Sequence, residues 1–113
     1  MKTNYQSNSK KSKINTAEDK KPLFFDSTSG RYFRSTINDI DRAVNELNRQ
    51  MMNDMCIRLN DFYNEIGLDR IKIGEDLGWN IDKGLIEVRY DSTIADNDEP
   101  CIVLDYELTH EIY

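Results

Sequence analysis

The sequence predicts a small α+β domain in which two or three helices pack on one side of an antiparallel sheet. Three observations lead to this prediction: two aromatic-rich runs near the start, an apolar stripe of helical period in the middle, and two alternating runs near the end. A chain of 113 residues supports at most one core. We therefore expect a single domain over residues 23–113 with the order ββααββ.

The first hairpin is predicted from "PLFFDSTSGRYFRS". Its aromatic-rich runs, Leu23 to Phe25 and Arg31 to Phe33, are separated by turn-forming residues that end at Gly30. Glycine adopts positive φ without steric cost, so a tight return is favoured there.

The longest helix is predicted from "STINDIDRAVNELNRQMM", behind Ser35 or Thr36 as N-cap. Arg42 and Glu46 are spaced to form an ion pair on its outer face. Whether its apolar stripe packs on this sheet or on a second copy is left open, although the domain's own core needs it. The stripe consists of Ile37, Ile40, Val44, Leu47 and Met51.

Methionines gather where this helix ends, at Met51, Met52 and Met55. Flexible thioether side chains either fill irregular gaps in a core or form an adaptable binding surface. We expect core positions, because the cluster continues an amphipathic helix.

A second helix is predicted from "LNDFYNEIGL", with Asn60 as N-cap and Gly67 at the left-handed position after its end. Leu68 supplies the hydrophobic contact that accompanies this kind of cap. The face predicted to be buried consists of Leu59, Phe62, Tyr63 and Ile66.

The chain's only tryptophan lies in "IGEDLGWN", residues 73–80. We expect one helical turn that ends at Gly78, after which the chain turns tightly and both Leu77 and Trp79 face inward. A ligand pocket around Trp79 is the alternative. A core position is favoured, because burying an indole contributes on the order of a few kcal/mol to a small domain.

Two strands are predicted near the end, from "GLIEVRY" and "CIVLDYE", joined by the ten residues 91–100. Each alternates apolar and polar positions, as expected for a sheet with one buried face. The inward positions are Ile86, Val88 and Tyr90 in the first strand and Ile102, Leu104 and Tyr106 in the second.

Charge divides the chain into two parts. Residues 1–22 carry six lysines against Glu18 and Asp19, and their polar composition predicts a flexible basic arm. The other 91 residues carry nine basic and nineteen acidic side chains, a net of −10. This acidic domain is not expected to bind nucleic acid directly, since such proteins present a basic stripe. No apolar run approaches the roughly 20 residues of a membrane span.

Few residues here suit catalysis or metal binding. His110 has no nearby partner that would orient it, and Cys56 and Cys101 lack the spacing of a zinc site. The run "DNDE", residues 96–99, lacks the pattern of a calcium loop and is expected to be a hairpin tip. We therefore predict no enzyme activity, no cofactor and no metal, with reduced thiols in a protein that is not secreted.

Four runs resemble the C-terminal domain of a family of uncharacterised phage and prophage proteins from low-GC Gram-positive bacteria: "SGRYFRSTINDIDRAVNELNRQM", "LNDFYNEIGL", "GEDLGWNIDKGLIEVRY" and "PCIVLDY". The likeness extends from about Leu23 to Tyr106. Arg58 stands where relatives have a capping serine, and Asp98 where they tend to have glycine. Longer members have membrane-spanning segments ahead of this domain, and the family implies no enzyme function.

Two functions are compatible with these features. The preferred one is a phage-encoded, non-catalytic protein-interaction module, a virion structural or assembly component whose arm orders on a partner subunit. The arm residues expected at that contact are Lys10, Lys11, Lys13, Lys20 and Lys21.

The alternative is an acidic inhibitor of a basic host defence protein, acting as a nucleic-acid mimic in the manner of some anti-CRISPR proteins. Either protein would be found in the virion or in the host cytoplasm during infection. The expected anionic face comprises Glu87, Asp91, Asp96, Asp98, Glu99, Asp105 and Glu107.

Overall fold

The computed structural model describes residues 21–109, which form a single small α+β domain. The predictions for the arm, including Lys10, Lys11, Lys13 and Lys20, lie outside these residues, as does His110. Lys21 is described and exposed.

Two helices and six strands make up the domain. They follow the order β1 (Leu23–Asp26), β2 (Arg31–Arg34), α1 (Ile37–Asp54), β3 (Cys56–Arg58), α2 (Leu59–Ile66), β4 (Gly78–Asn80), β5 (Val88–Ile94) and β6 (Pro100–Tyr106). Short 3₁₀ turns occur at Lys72–Glu75 and Ile81–Lys83. The predicted order ββααββ therefore omitted β3 and β4, which lie on either side of α2.

The main sheet is mixed, so the prediction of an antiparallel sheet is wrong in one pairing. Its strand order is β2-β1-β6-β5, and the two outer pairs are antiparallel hairpins. The central pair is parallel, with Leu23 opposite Cys101 and Asp26 opposite Leu104. The long connection through both helices brings β6 back beside β1 in the same direction, as a parallel pair requires.

Helix α1 begins as predicted at Thr36, whose Oγ1 accepts a hydrogen bond from the Asp39 N–H at 3.0 Å. Its stripe is buried from Ile40 to Met51, but the first position, Ile37, is 41% exposed. Ile37 lies in the first turn, ahead of the part of the helix that the core covers.

The ion pair predicted between Arg42 and Glu46 is replaced by two pairs with a spacing of three. Arg42 pairs with Asp39 at 2.9 Å, and Glu46 pairs with Arg49. Spacings of three and four are both neighbours on a helix surface, so the sequence pattern alone does not choose between them.

The predicted N-cap of α2 is wrong, whereas its end is as expected. Arg58 occupies the cap position, and its N–H donates to the Asp61 carboxylate at 3.0 Å. Asn60 lies inside the helix and bonds both the N–H and the carbonyl of Ile71, at 2.8 and 2.9 Å. Gly67 closes the helix at φ 94°.

The helical turn expected before Gly78 is present as the 3₁₀ turn Lys72–Glu75, but it ends before Gly78, which instead begins strand β4. It pairs with β3, so that Cys56 lies opposite Asn80 and Ile57 opposite Trp79. A Cβ on Gly78 would collide with the carbonyl oxygen of Ile57. This glycine is thus required for a close approach of two strands and not for a turn.

The core position predicted for Trp79 is confirmed, because the residue is only 4% exposed. Its indole packs against the rings of Phe62 and Tyr106, at centroid distances of 5.3 and 5.7 Å. These contacts join α2, the small sheet and the main sheet in one core.

A fully buried carboxylate, Asp26, lies within this core, at a position where the sequence pattern predicts part of a turn. It accepts hydrogen bonds from the Tyr106 hydroxyl at 2.6 Å, the Tyr63 hydroxyl at 2.8 Å, and both the N–H and hydroxyl of Ser29. Burial raises the pKa of both Tyr63 and Tyr106 above the usual value of tyrosine, which favours the protonated form that donates these hydrogen bonds. The network is enclosed and links β1, α2 and β6.

Candidate functional site

Exposed methionines lie at the end of α1. Met52 is 63% exposed and Met55 is 54% exposed, while Met51 is fully buried. The prediction of core positions is therefore confirmed for Met51 and wrong for the other two. The stripe passes through Met51, so the next residue is rotated about 100° away from the core.

The backbone at Met55 carries the second methionine outward. Met55 caps α1 in the left-handed conformation, at φ 76°, and its N–H donates to the Met51 carbonyl at 2.9 Å. Glycine normally occupies such a position, because a side chain there is strained.

Leu85 is a third exposed apolar residue, and it belongs to a segment that is bound to α1. The Asn48 side chain bonds both the N–H and the carbonyl of Ile86, at 2.8 and 3.1 Å, which fixes this segment against α1. Met52 lies one helical turn beyond Asn48 on the same side of the helix. Leu85 is 43% exposed, and we refer to Met52, Met55 and Leu85 as the methionine patch.

A cleft of about 410 Å³ has both Leu85 and Trp79 in its lining. We call it the Trp79 cleft. Its lining combines apolar side chains with charges of both signs and consists of Trp79, Lys83, Gly84, Leu85, Glu87, Arg89, Glu107, Leu108 and Thr109.

The indole N–H of Trp79 has no acceptor among residues 21–109, although the atom is buried. A buried donor without an acceptor costs about 1–3 kcal/mol.

The charges around the cleft are unequally paired. Arg89 donates to Asp105 at 2.9 Å, and this hydrogen bond, with further contributions from Glu107 and Glu87, raises the pKa of Arg89. A single guanidinium therefore has three carboxylates near it. Lys83 forms no ion pair with any residue that the structure describes.

The predicted anionic face is divided between two places. Glu87 and Glu107 border the Trp79 cleft, whereas Asp96 and Asp98 lie in the connection between β5 and β6, at the other end of this hairpin. Seven paired residues separate the two ends, roughly 20 Å of strand. The structure thus does not bring the seven carboxylates together.

Three further members of that predicted face differ from expectation. Glu99 is held by both guanidinium nitrogens of Arg34, at 2.6 and 2.9 Å, which lowers its pKa, and Asp105 is paired with Arg89. Asp91 lies on β5 and not in the connection, which spans only residues 95–99. Arg34 also donates to the carbonyl of Lys21, at 3.2 Å.

The described residues place no three His, Cys, Asp or Glu side chains close enough to hold a metal ion. Cys101 is buried, which raises the pKa of its thiol, and Cys56 is half-buried. Within residues 21–109, neither helix combines the length and the apolar character needed to cross a bilayer.

Fold and surface together define a small α+β protein with a mixed four-stranded sheet and exposed methionines at the end of its longer helix. The family of unknown function DUF6353 matches residues 2–113, and the chain belongs to this family. No curated protein and no solved structure matches it. The expectation of an uncharacterised family is therefore confirmed, and the match extends beyond residues 23–106 at both ends.

Proposed function

We propose that this protein is a non-catalytic protein-interaction module and that the methionine patch is its docking surface. The observation that supports this proposal is the exposure of three large apolar side chains, Met52 and Met55 at the end of α1 and Leu85 in the segment that Asn48 of α1 binds. Scattered apolar residues are normal on a surface, whereas neighbouring ones mark contact sites.

Methionine suits such a surface because its unbranched side chain adapts to the shape of a partner. Burying one large apolar side chain contributes about 1.5–3 kcal/mol. Burial of both methionines would therefore account for a substantial part of a micromolar interaction, which needs about 8 kcal/mol.

The finer proposal is that the protein is encoded by a phage and is a structural or assembly component of the virion. The likeness to phage and prophage proteins supports it, together with the basic arm, whose lysines oppose the charge of the acidic domain. Quantitative mass spectrometry of purified virions tests this point. Stoichiometric copies per particle are expected, and absence from particles would exclude a virion role.

The docking surface is tested by comparing two variants that each place charge on an exposed apolar site. The double variant Met52→Lys/Met55→Lys removes the patch, and Ile94→Lys is the control, because Ile94 is as exposed as Met52 at 63% but lies at the far end of β5. Tagged proteins are purified from cells that naturally produce the chain, and co-purifying proteins are quantified.

A partner retained by the wild type and by Ile94→Lys, but lost with the double variant, is the expected result. Circular dichroism establishes that both variants remain folded. An unchanged set of partners with the folded double variant would refute the patch as docking surface.

The acidic-inhibitor alternative is supported by the surface carboxylates that no ion pair among the described residues holds. Asp96 and Asp98 are exposed in the connection between β5 and β6, and Asp91 is exposed in the middle of β5. The pairing of Glu99 and Asp105 with arginines weakens this alternative. An inhibitor of this kind would bind its basic target many times more weakly at high salt, whereas docking by the methionine patch depends little on salt.

A further inference from the structure

We propose that residues 10–14 of the basic arm pair with residues 90–94 of the same chain, as a fifth strand at the free edge of the main sheet. This inference goes beyond the proposed function, because it involves neither the methionine patch nor a partner protein. Three observations lead to it, namely the free edge of β5, the place where the arm joins the domain, and a match between the side chains of the two segments.

Strand β5 is an outer strand of the main sheet, and among residues 21–109 it pairs only with β6. The Ala95 N–H donates to the Glu99 carbonyl at 2.8 Å, so Ala95 faces the returning chain. Successive residues of an antiparallel pair alternate between facing the partner strand and facing away from it. The residues whose backbone groups face the free edge are therefore Val88, Tyr90, Ser92 and Ile94.

This edge is suited to accept a further strand. The Ser92 N–H donates to the neighbouring Asp91 carboxylate at 2.8 Å and not to β6, which agrees with an outward direction. The seven residues of β5 include neither proline nor lysine, the two residues that commonly protect a sheet edge. Main-chain hydrogen bonds along such an edge hold an added strand.

The arm joins the domain close to the end of β5. Arg34 donates to the Lys21 carbonyl at 3.2 Å and also to the Glu99 carboxylate, and Glu99 belongs to the connection that follows β5. Leu23, the first residue of β1, is level with Thr93 across the intervening strand β6. The basic arm therefore leaves the domain beside the last residues of β5.

The arm is long enough to reach this edge within its own chain. A strand added beside β5 lies three strand spacings from β1, or roughly 14 Å. The eight residues between Ile14 and Leu23 can span about 26 Å when extended. An arm that returns from β1 in this way runs parallel to β5, with Ile14 beside Ile94.

The side chains of the two segments complement each other in this register. Ile94 is 63% exposed and meets Ile14 on one face of the sheet, an apolar cross-strand pair of the kind that stabilises sheets. Side chains alternate between the faces, so Lys11 lies on the other face, beside Asp91. Asp91 is exposed and forms no ion pair within residues 21–109. An arm carbonyl replaces its carboxylate as acceptor of the Ser92 N–H, which releases Asp91 to pair with Lys11.

Amide hydrogen exchange in the full chain, followed in ¹H–¹⁵N correlation spectra, tests this pairing. The double variant Lys13→Ile/Ile14→Lys keeps the composition of the arm but places a lysine beside Ile94. The Ile94 amide should then exchange about tenfold faster than in the wild type, because one apolar pair and one ion pair are lost. The control Lys2→Thr/Thr3→Lys makes the same kind of swap outside the paired residues and should leave the rate unchanged.

A photoreactive amino acid at position 94 distinguishes the chain's own arm from the arm of a second copy. The crosslinked product should have the mass of one chain and should contain the tryptic peptide "INTAEDK", residues 14–20. Position 94 then yields a crosslink within the chain and no crosslinked partner protein.

Three results would overturn the inference. The first is an Ile94 amide that exchanges equally fast in the wild type and in Lys13→Ile/Ile14→Lys, and the second is an equal change in the control. The third is a crosslinked product with the mass of two chains, which would assign the edge to a second copy. None of these results affects the test of the methionine patch.

Discussion

Replacing Asp26 with alanine measures how much the buried polar network contributes to stability. The carboxylate is 0% exposed and accepts from the hydroxyls of Tyr106 and Tyr63 and from two donors of Ser29. The tyrosine hydroxyls lie 3.2 Å apart, so one of them can donate to the other after the change. The second hydroxyl and the Ser29 donors lose their acceptor. At about 1–3 kcal/mol for each buried unsatisfied donor, we expect a loss of about 3–5 kcal/mol in the free energy of unfolding.

Urea unfolding followed by circular dichroism measures this loss. Asp26→Asn keeps the shape and one acceptor oxygen, so its expected loss is smaller, about 1–2 kcal/mol. The control is Asp105→Ala, which removes an exposed ion pair and should cost less than about 1 kcal/mol. If Asp26→Ala were no more destabilising than Asp105→Ala, the reasoning about the buried network would be wrong.

Three further changes test other parts of the fold by the same unfolding assay. Met55→Gly should raise the free energy of unfolding by about 0.5–1 kcal/mol, because glycine relieves the left-handed strain at φ 76°, whereas Met52→Gly inside the helix should lower it by a similar amount. Gly78→Ala should cost about 1–3 kcal/mol, since its Cβ meets the carbonyl of Ile57, and a neutral result would contradict this close strand contact. The free energy of unfolding should fall as pH rises above about 10, the pKa of an unfolded tyrosine. The reason is that burial raises the pKa of Tyr106 and Tyr63 in the folded protein, so the unfolded chain loses these protons first. Tyr106→Phe should flatten this pH dependence.

Local patterns predicted the long elements well because the determining interactions lie close together in sequence. Apolar residues spaced by three and four positions predicted α1. Its N-cap, Thr36, accepts a hydrogen bond from the N–H of Asp39, only three residues away. Gly67 likewise marks the end of α2 through a bond to Tyr63, four residues away. The alternation at Ile102, Leu104 and Tyr106 placed β6.

The misplaced features depend on contacts between distant residues. In isolation Gly78 is typical of a helix end, but its role is to let β4 lie close to Ile57 of β3. In isolation Asn60 is typical of a helix start, but its side chain binds Ile71 in the following loop. The parallel pairing of β1 with β6 joins segments nearly 80 residues apart, and no local pattern fixes its direction. From sequence Asp26 was predicted to be part of a turn. Its buried position depends on two tyrosine partners that lie far along the chain, which no local pattern indicates.

The candidate site was predicted only in part. The sequence pattern predicted Glu87 and Glu107 as exposed carboxylates. The prediction of one anionic face also joined them to Asp96 and Asp98, but the length of the β5–β6 hairpin separates these two pairs. Met52 follows directly after Met51 of the buried stripe, so helical geometry alone predicts that Met52 is exposed. The prediction of a core position for Met52 did not take this into account.

Site-specific crosslinking tests the central claim, that the methionine patch contacts a partner, most directly. A photoreactive amino acid is placed at position 52 in one protein and at position 94 in another, two sites that are equally exposed at 63%. After irradiation of producing cells, the account predicts a discrete crosslinked partner from position 52 and none from position 94. Crosslinks of equal yield from both positions, or from position 94 alone, would contradict it.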